Sequence, residues 1–225
     1  MVSGQMASTN WAGYVVHSSN VTAISASWTV PEVQCANTAA TNTISQGEAV
    51  WIGFDGLGIN WIPEQLGSLS YCFNGSPNYW AWEQDQTHGS SHTGHATTAF
   101  EDTFAGDHMT AYISYLGKNT FRLSIADART GANRTYTAMI PNAPRASAEW
   151  IVEVPYNLNT GQQLKLAKFQ PVNFTDCGVA VNNVAGSITQ NNAETLNMVD
   201  NNGNIIAAPQ DLNQAGTSFQ VAEVG

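Results

Sequence analysis

Runs of strictly alternating apolar and polar residues, each only a few residues long and ended by Gly, Asn, Pro or Ser, recur along this chain from end to end. A period of two is the pattern of half-buried β-strands, and it limits what such a chain can fold into more than any other feature. Ile24, Ala26, Trp28 and Val30 share one face of the first clear strand; Met109, Ala111, Ile113 and Tyr115 do so in a second, and Phe121, Leu123 and Ile125 in a third. Between the last two, Leu116-Gly117-Lys118-Asn119 reads as a hairpin loop. Further strands are predicted over Ala49–Phe54, Ala148–Val154, Leu166–Phe174, Asn204–Ala207 and Ser218–Val224. No segment carries a helical stripe beyond one or two turns, and the breakers are evenly spread. The expectation is a single domain over residues 1–225 without a linker. The absence of a fixed-period repeat disfavours propellers and solenoids. The pattern predicts an all-β, antiparallel two-sheet β-sandwich of jelly-roll or concanavalin-like type, with a concave, aromatic-lined cleft.

Charge narrows the function classes. The 225 residues hold 17 acidic and 7 basic side chains, a net charge of -10, and no Lys or Arg precedes Lys118. Nucleic acid is excluded as a partner, because binding it requires a basic footprint that displaces phosphate counterions. With 10% aromatic residues, seven of them Trp, the chain is not of the disordered acidic kind. No run is long enough to cross a bilayer, and Met1–Trp11 lacks the basic and apolar regions of a signal peptide, so a soluble protein without a membrane partner is expected. So few cations also leave little self-repulsion once carboxylates are protonated, which suits an acid setting.

Cys35, Cys72 and Cys177 are an odd set, with no two at metal-cluster spacing. A Cys35–Cys72 bridge would flank the most aromatic stretch and contribute roughly 3–4 kcal/mol; three buried thiols in a cytosolic protein are the alternative. Cys177 reads as a buried free thiol in either case. His88, His92 and His95 have ligand-like spacing, but their run has no acidic residue and reads as a solvated loop rather than a metal site.

The segment Ala148-Glu149-Trp150-Ile151-Val152-Glu153-Val154 puts Glu149, Ile151 and Glu153 on one strand face and Trp150, Val152 and Val154 on the other. Two carboxyls then share a sheet surface, either on a solvated edge strand or because chemistry uses them. In the segment ending Glu64-Gln65-Leu66-Gly67, Glu64 and Gln65 must face opposite ways. A Gln turned inward is either a satisfied core amide or an oxyanion donor. Trp80, Trp82 and Glu83 continue the aromatic theme. Gly-x-Ser-x-Gly, phosphate-loop and dinucleotide motifs are all missing. A carbohydrate-active jelly roll using Glu149 with Glu153 or Glu83, or a glycan-binding sandwich, remains open at this point.

Taken in order, Asn10-Trp11-Ala12-Gly13-Tyr14, Trp28-Thr29-Val30-Pro31, Trp51-Ile52-Gly53-Phe54-Asp55-Gly56, Glu64-Gln65-Leu66-Gly67, Ala81-Trp82-Glu83, Ala148-Glu149-Trp150-Ile151-Val152-Glu153 and Gly216-Thr217-Ser218-Phe219 resemble the glutamic peptidases, the eqolisins. The resemblance implies a β-sandwich acid endopeptidase whose Gln and Glu dyad lies on neighbouring strands. The family's Gln follows the Trp of its Trp-x-Gly-x-Asp-Gly motif by fourteen residues, which is Gln65; its Glu is the second acid of the Ala-Glu-aromatic-Ile-x-Glu segment, which is Glu153. Glu149 is then a neighbour, and Trp51, Asp55, Glu83 and Trp11 match positions that line or support the family's site. The resemblance also implies direct water attack, no cofactor or metal, protein or peptide substrates, a monomer, and a secreted protein. The Cys35–Cys72 pairing resembles bacterial members of the family.

Overall fold

A computed structural model describes residues 2–36, 44–57, 64–84, 96–157 and 160–224. The His88–His95 run and Trp61-Ile62-Pro63 lie outside the described residues. In chain order the strands are β1 (Val2–Ser8), β2 (Trp11–His17), β3 (Val21–Thr29), β4 (Val33–Gln34), β5 (Ile44–Phe54), β6 (Glu64–Phe73), β7 (Ser76–Gln84), β8 (Ala96–Phe100), β9 (His108–Gly117) and β10 (Thr120–Asp127). They continue with β11 (Asn133–Met139), β12 (Ser147–Glu153), β13 (Lys165–Leu166), β14 (Lys168–Phe169), β15 (Val172–Val181), β16 (Val184–Gly186), β17 (Ala193–Val199), β18 (Ile205–Pro209) and β19 (Phe219–Glu223). Among the described residues the sole helical element is a 3-10 turn, Ile188–Gln190.

The strands form two packed layers. One runs β8–β7–β6–β5–β12–β2–β17, the other β11–β10–β9–β3–β15–β19–β18, and pairing of β17 with β18 joins them. The fold is the expected β-sandwich. Its pairings are antiparallel except for β1 along β17 and β13 along β5, which the sequence pattern did not indicate. Lys118 (φ 52°) and Asn119 (φ 61°) form a two-residue hairpin loop between β9 and β10, a left-handed pair whose twist matches the flanking strands.

The predicted strand Leu166–Phe174 is broken: β13 pairs with β5, β14 with β4, and β15 begins at Val172. Pro171 in the interruption has no N–H to donate to a ladder. The edge-strand reading of residues 148–154 is also overturned. β12 is hydrogen-bonded on both sides, to β2 and to β5, so its carboxyls are not on a solvated margin.

Between the layers, alternation delivers one face of every strand to a core that includes Tyr14, Trp28, Phe54, Phe121, Trp150, Phe174 and Phe219. The polar tips of the large rings are satisfied there: Trp28 Nε1 donates to Ser68 Oγ (2.9 Å), Trp150 Nε1 to the Ser25 carbonyl (2.9 Å) and Tyr14 Oη to the Gln210 carbonyl (3.0 Å). Cys35 and Cys72 form a disulfide that ties the chain after β4 to the end of β6, and Cys177 is a buried free thiol, as expected.

Candidate active site

The first layer has a second apolar cluster on its outer face, made of Trp11, Val15, Ala49, Trp51, Trp82, Ile151 and Leu196. All are buried although they point away from the core, so this face is recessed. The register explains why these residues meet. Across β6, β5, β12 and β2, one rung reads Gln65, Gly53, Glu149 and Val15; the next reads Gly67, Trp51, Ile151 and Gly13; the third reads Leu69, Ala49, Glu153 and Trp11. Gln65, Glu149, Trp51, Glu153 and Trp11 therefore share the outer face.

Glu153 is held from two sides. Trp51 Nε1 donates to its Oε2 at 2.8 Å and Asn10 Nδ2 to its Oε1 at 3.2 Å. Ser8 Oγ donates to Asn10 Oδ1 at 3.0 Å, which leaves the amide nitrogen of Asn10 facing the carboxyl. Trp11 stacks edge-on against Trp51, with ring centroids 5.0 Å apart. Burial pushes the Glu153 carboxyl up to about 7, opposed by the N–H groups of Trp11, Trp51 and Asn10. Of the two outer-face acids on β12, Glu153 is the one with partial exposure.

Gln65 is 4% exposed, and its Nε2 has no hydrogen-bond partner among the described residues. The inward amide is thus not a satisfied core group, and its donor is available to a ligand. Two glycines make room for it. A Cβ on Gly53 would stand 2.7 Å from Gln65 Cγ and 3.0 Å from Trp51 Cζ3; one on Gly56 would stand 3.2 Å from Gln65 Nε2 and 2.8 Å from Trp11 Cη2. Glu64, the neighbour of Gln65, pairs with Phe54 in register and lies on the core side, so the two do face opposite ways.

Asp55 (φ 58°), just past the end of β5, braces the segment that leads into β12, accepting the backbone N–H of Arg145 at 2.7 Å and of Ala146 at 2.6 Å. It supports the site without lining it. Glu83 takes the other face of its strand. It pairs in register with the core residue Leu66, whereas Trp82, beside it, takes the cleft face opposite Gly67. Glu83 is therefore turned between the layers and does not line the cleft; Tyr136 of β11 is raised by its own burial and, after that, by the charge of Glu83. Asn10, Gly53 and Gly56 also belong to the site, although no chemistry of their own marks them in the sequence. Their signal was their place beside Trp11 and inside the Trp51–Gly56 motif.

A sandwich with a recessed outer face, a carboxyl gripped by N–H donors and an open carboxamide on the same wall has the parts of a hydrolase that activates water directly. The family model described as the peptidase A4 family matches residues 9–221, and the chain belongs to that family. It is a peptide hydrolase. Solved structures agree on the fold. A scytalido-glutamic peptidase bound to a transition-state analog inhibitor has a TM-score of 0.78 at 20% identity, over 96% of this chain and 98% of that one. SCP-B, a member of the eqolisin family in complex with the tripeptide Ala-Ile-His, has a TM-score of 0.73 at 22% identity over the same shares. Aspergilloglutamic peptidase from Aspergillus niger has a TM-score of 0.65 at 20% identity, over 80% of this chain and 99% of that one. No curated protein sequence matches the chain.

Proposed function

We propose that Glu153 and Gln65 are the catalytic pair of an acid-active glutamic endopeptidase, working on one water molecule. Ionised Glu153 removes a proton from water as the oxygen attacks the scissile carbonyl carbon. Gln65 Nε2 donates a hydrogen bond to the oxyanion that forms. When the tetrahedral intermediate collapses, Glu153 returns the proton to the leaving amine, the C–N bond breaks, and carboxylic acid and amine leave without an acyl-enzyme. A carboxamide suits this role in acid, since it neither gains nor loses a proton between about pH 2 and 7, whereas a His would already be charged.

The observation that carries the reading is the shared face: Glu153 held by Trp51 and Asn10, and an unpaired Gln65 donor beside the same Trp51 ring. Trp51 and Asn10 hold the base, Trp11 packs on Trp51, Asp55 braces the segment before β12, and Leu69, Trp80 and Trp82 offer apolar contacts to a bound peptide. The Cys35–Cys72 disulfide supports secretion into an oxidising compartment, and the reading is of a monomer. Digestion of an unfolded protein across pH 2 to 7 by the parent, Glu153→Gln and Gln65→Ala tests the assignment. Loss of about a thousandfold in rate is expected for each variant, within the range that removal of a general base or an oxyanion donor costs. Equal activity in all three defeats it.

A further inference from the structure

The register places Glu149, not Glu153, level with Gln65, with side-chain-free Gly53 between them. Glu149 is 0% exposed, and its Oε1 accepts the Gly56 backbone N–H at 3.2 Å. Gly56 is also the residue whose Cβ position lies against both Gln65 Nε2 and the Trp11 ring. One backbone unit thus connects Glu149 on β12 to the amide of Gln65 and to the indole beside Glu153.

We infer that Glu149 is a positioning residue for the reaction: its carboxyl anchors the turn at Gly56, and that turn is the wall against which the Gln65 carboxamide is held. The inference rests on Gln65 being the oxyanion donor. A fully buried group cannot itself meet a substrate carbonyl, so its influence passes through Gly56. The turn is fixed at both ends, because Asp55, one residue earlier, is tied to Arg145 and Ala146.

The charge state agrees with an anchoring role. Burial, with a smaller contribution from the Asp55 charge, holds Glu149 up at about 8 against the Ser147 hydroxyl and the Gly56 N–H, which pull it down. The other titratable groups around it are few. Glu153 lies four residues along β12; on β2, His17 lies across from Ser147, and Glu194 of β17 pairs with His17 at 3.4 Å. On the β5 side Asp55 is accompanied by Arg145, whose guanidinium sits over the Tyr115 ring at 4.0 Å, and β6 contributes the uncharged Gln65. In acid Glu149 is a neutral carboxylic acid, which a carboxamide copies in shape and in hydrogen bonding.

The test measures kcat and KM on a peptide substrate at acid pH, with Tm at the same pH, for the parent, Glu149→Gln, Glu149→Met and Glu153→Gln. Glu149→Gln should stay within about threefold of the parent in kcat, and Glu149→Met should lose roughly a hundredfold in kcat with KM within about threefold, since a displaced catalytic group costs rate more than affinity. Glu149→Thr replaces the Met variant if that one unfolds. Parental kcat in a folded Met or Thr variant overturns the inference. So does a Glu149→Gln variant as inactive as Glu153→Gln, which would make Glu149 itself a reacting carboxylate. Failure of the Glu153 and Gln65 reading looks different: Glu153→Gln or Gln65→Ala would stay active whatever the Glu149 variants do.

Discussion

On the outer face of β12, Glu153 receives N–H groups from Trp51 and Asn10 and opens to the cleft; on the inner face of β5, Glu48 is 0% exposed and has only the Ser70 hydroxyl to oppose its burial. Both are carboxyls on neighbouring strands of one sheet. The outer one is supplied with donors that favour its charged form, so it can lose and regain a proton during a reaction. Burial raises both, the outer one to about 7 against its donors and the inner one to about 8. The face a carboxyl takes, and the donors waiting there, decide whether it can meet a substrate.

Several changes would break or sharpen this contrast. The largest effect is expected from Gly53→Ala, which pushes a methyl group into the space of Gln65 Cγ and the Trp51 ring. Catalysis should fall by about a hundredfold or more, read as kcat on a peptide, because a small misplacement of a catalytic group has that cost. Reduction of the disulfide, or the Cys35→Ser and Cys72→Ser pair, touches neither face's acids. It should lower stability by roughly 3–4 kcal/mol for a loop of this length, measured by denaturant unfolding in acid, with kcat per folded molecule unchanged.

Trp51→Phe keeps the ring but removes the donor to Glu153 Oε2. Losing a hydrogen bond that favours the charged form raises the carboxyl, so the acid limb of the kcat/KM profile should move to higher pH by about one unit. On the inner face the sign runs through stability. Glu48 is raised in the folded state, so its contribution is fully present below the unfolded value and is lost as pH rises toward about 8. Stability should decline with pH across that window by at most about 1.4 kcal/mol per unit for this group, and Glu48→Gln should flatten the slope. An unchanged slope would mean that the folded protein does not hold the proton on Glu48 across that window.

Much of this was legible beforehand, for reasons that are local. Strand faces follow from alternation, so the sequence separates Trp150 and Val152 from Glu149 and Glu153 without coordinates, and the structure shows that the first pair faces the core. The loop at Lys118 and Asn119 is a short-range signal of the same kind. The expectation for Gln65 and Glu153 rested on family motifs and not on periodicity. What stayed hidden depends on register between distant segments. Asn10 meets Glu153 across 143 residues of sequence, and nothing in either segment alone announces the contact. Glu83 matches a position that lines or supports the family's site, and only its parity on β7, level with Leu66, shows that it takes the core side and not the cleft face. The rung that sets Glu149 opposite Gln65 required the pairing of three strands.

The most direct test of the central claim is a crystal structure of the protein with a peptide analogue that carries a tetrahedral hydroxyl-bearing carbon in place of the scissile carbonyl. The account predicts one analogue oxygen within hydrogen-bond distance of Gln65 Nε2 and another on the Glu153 carboxylate, with Glu149 still bonded to Gly56 and apart from the ligand. An analogue seated on Glu149, or bound with Gln65 and Glu153 on separate sides of it and neither touching its tetrahedral centre, would contradict the account.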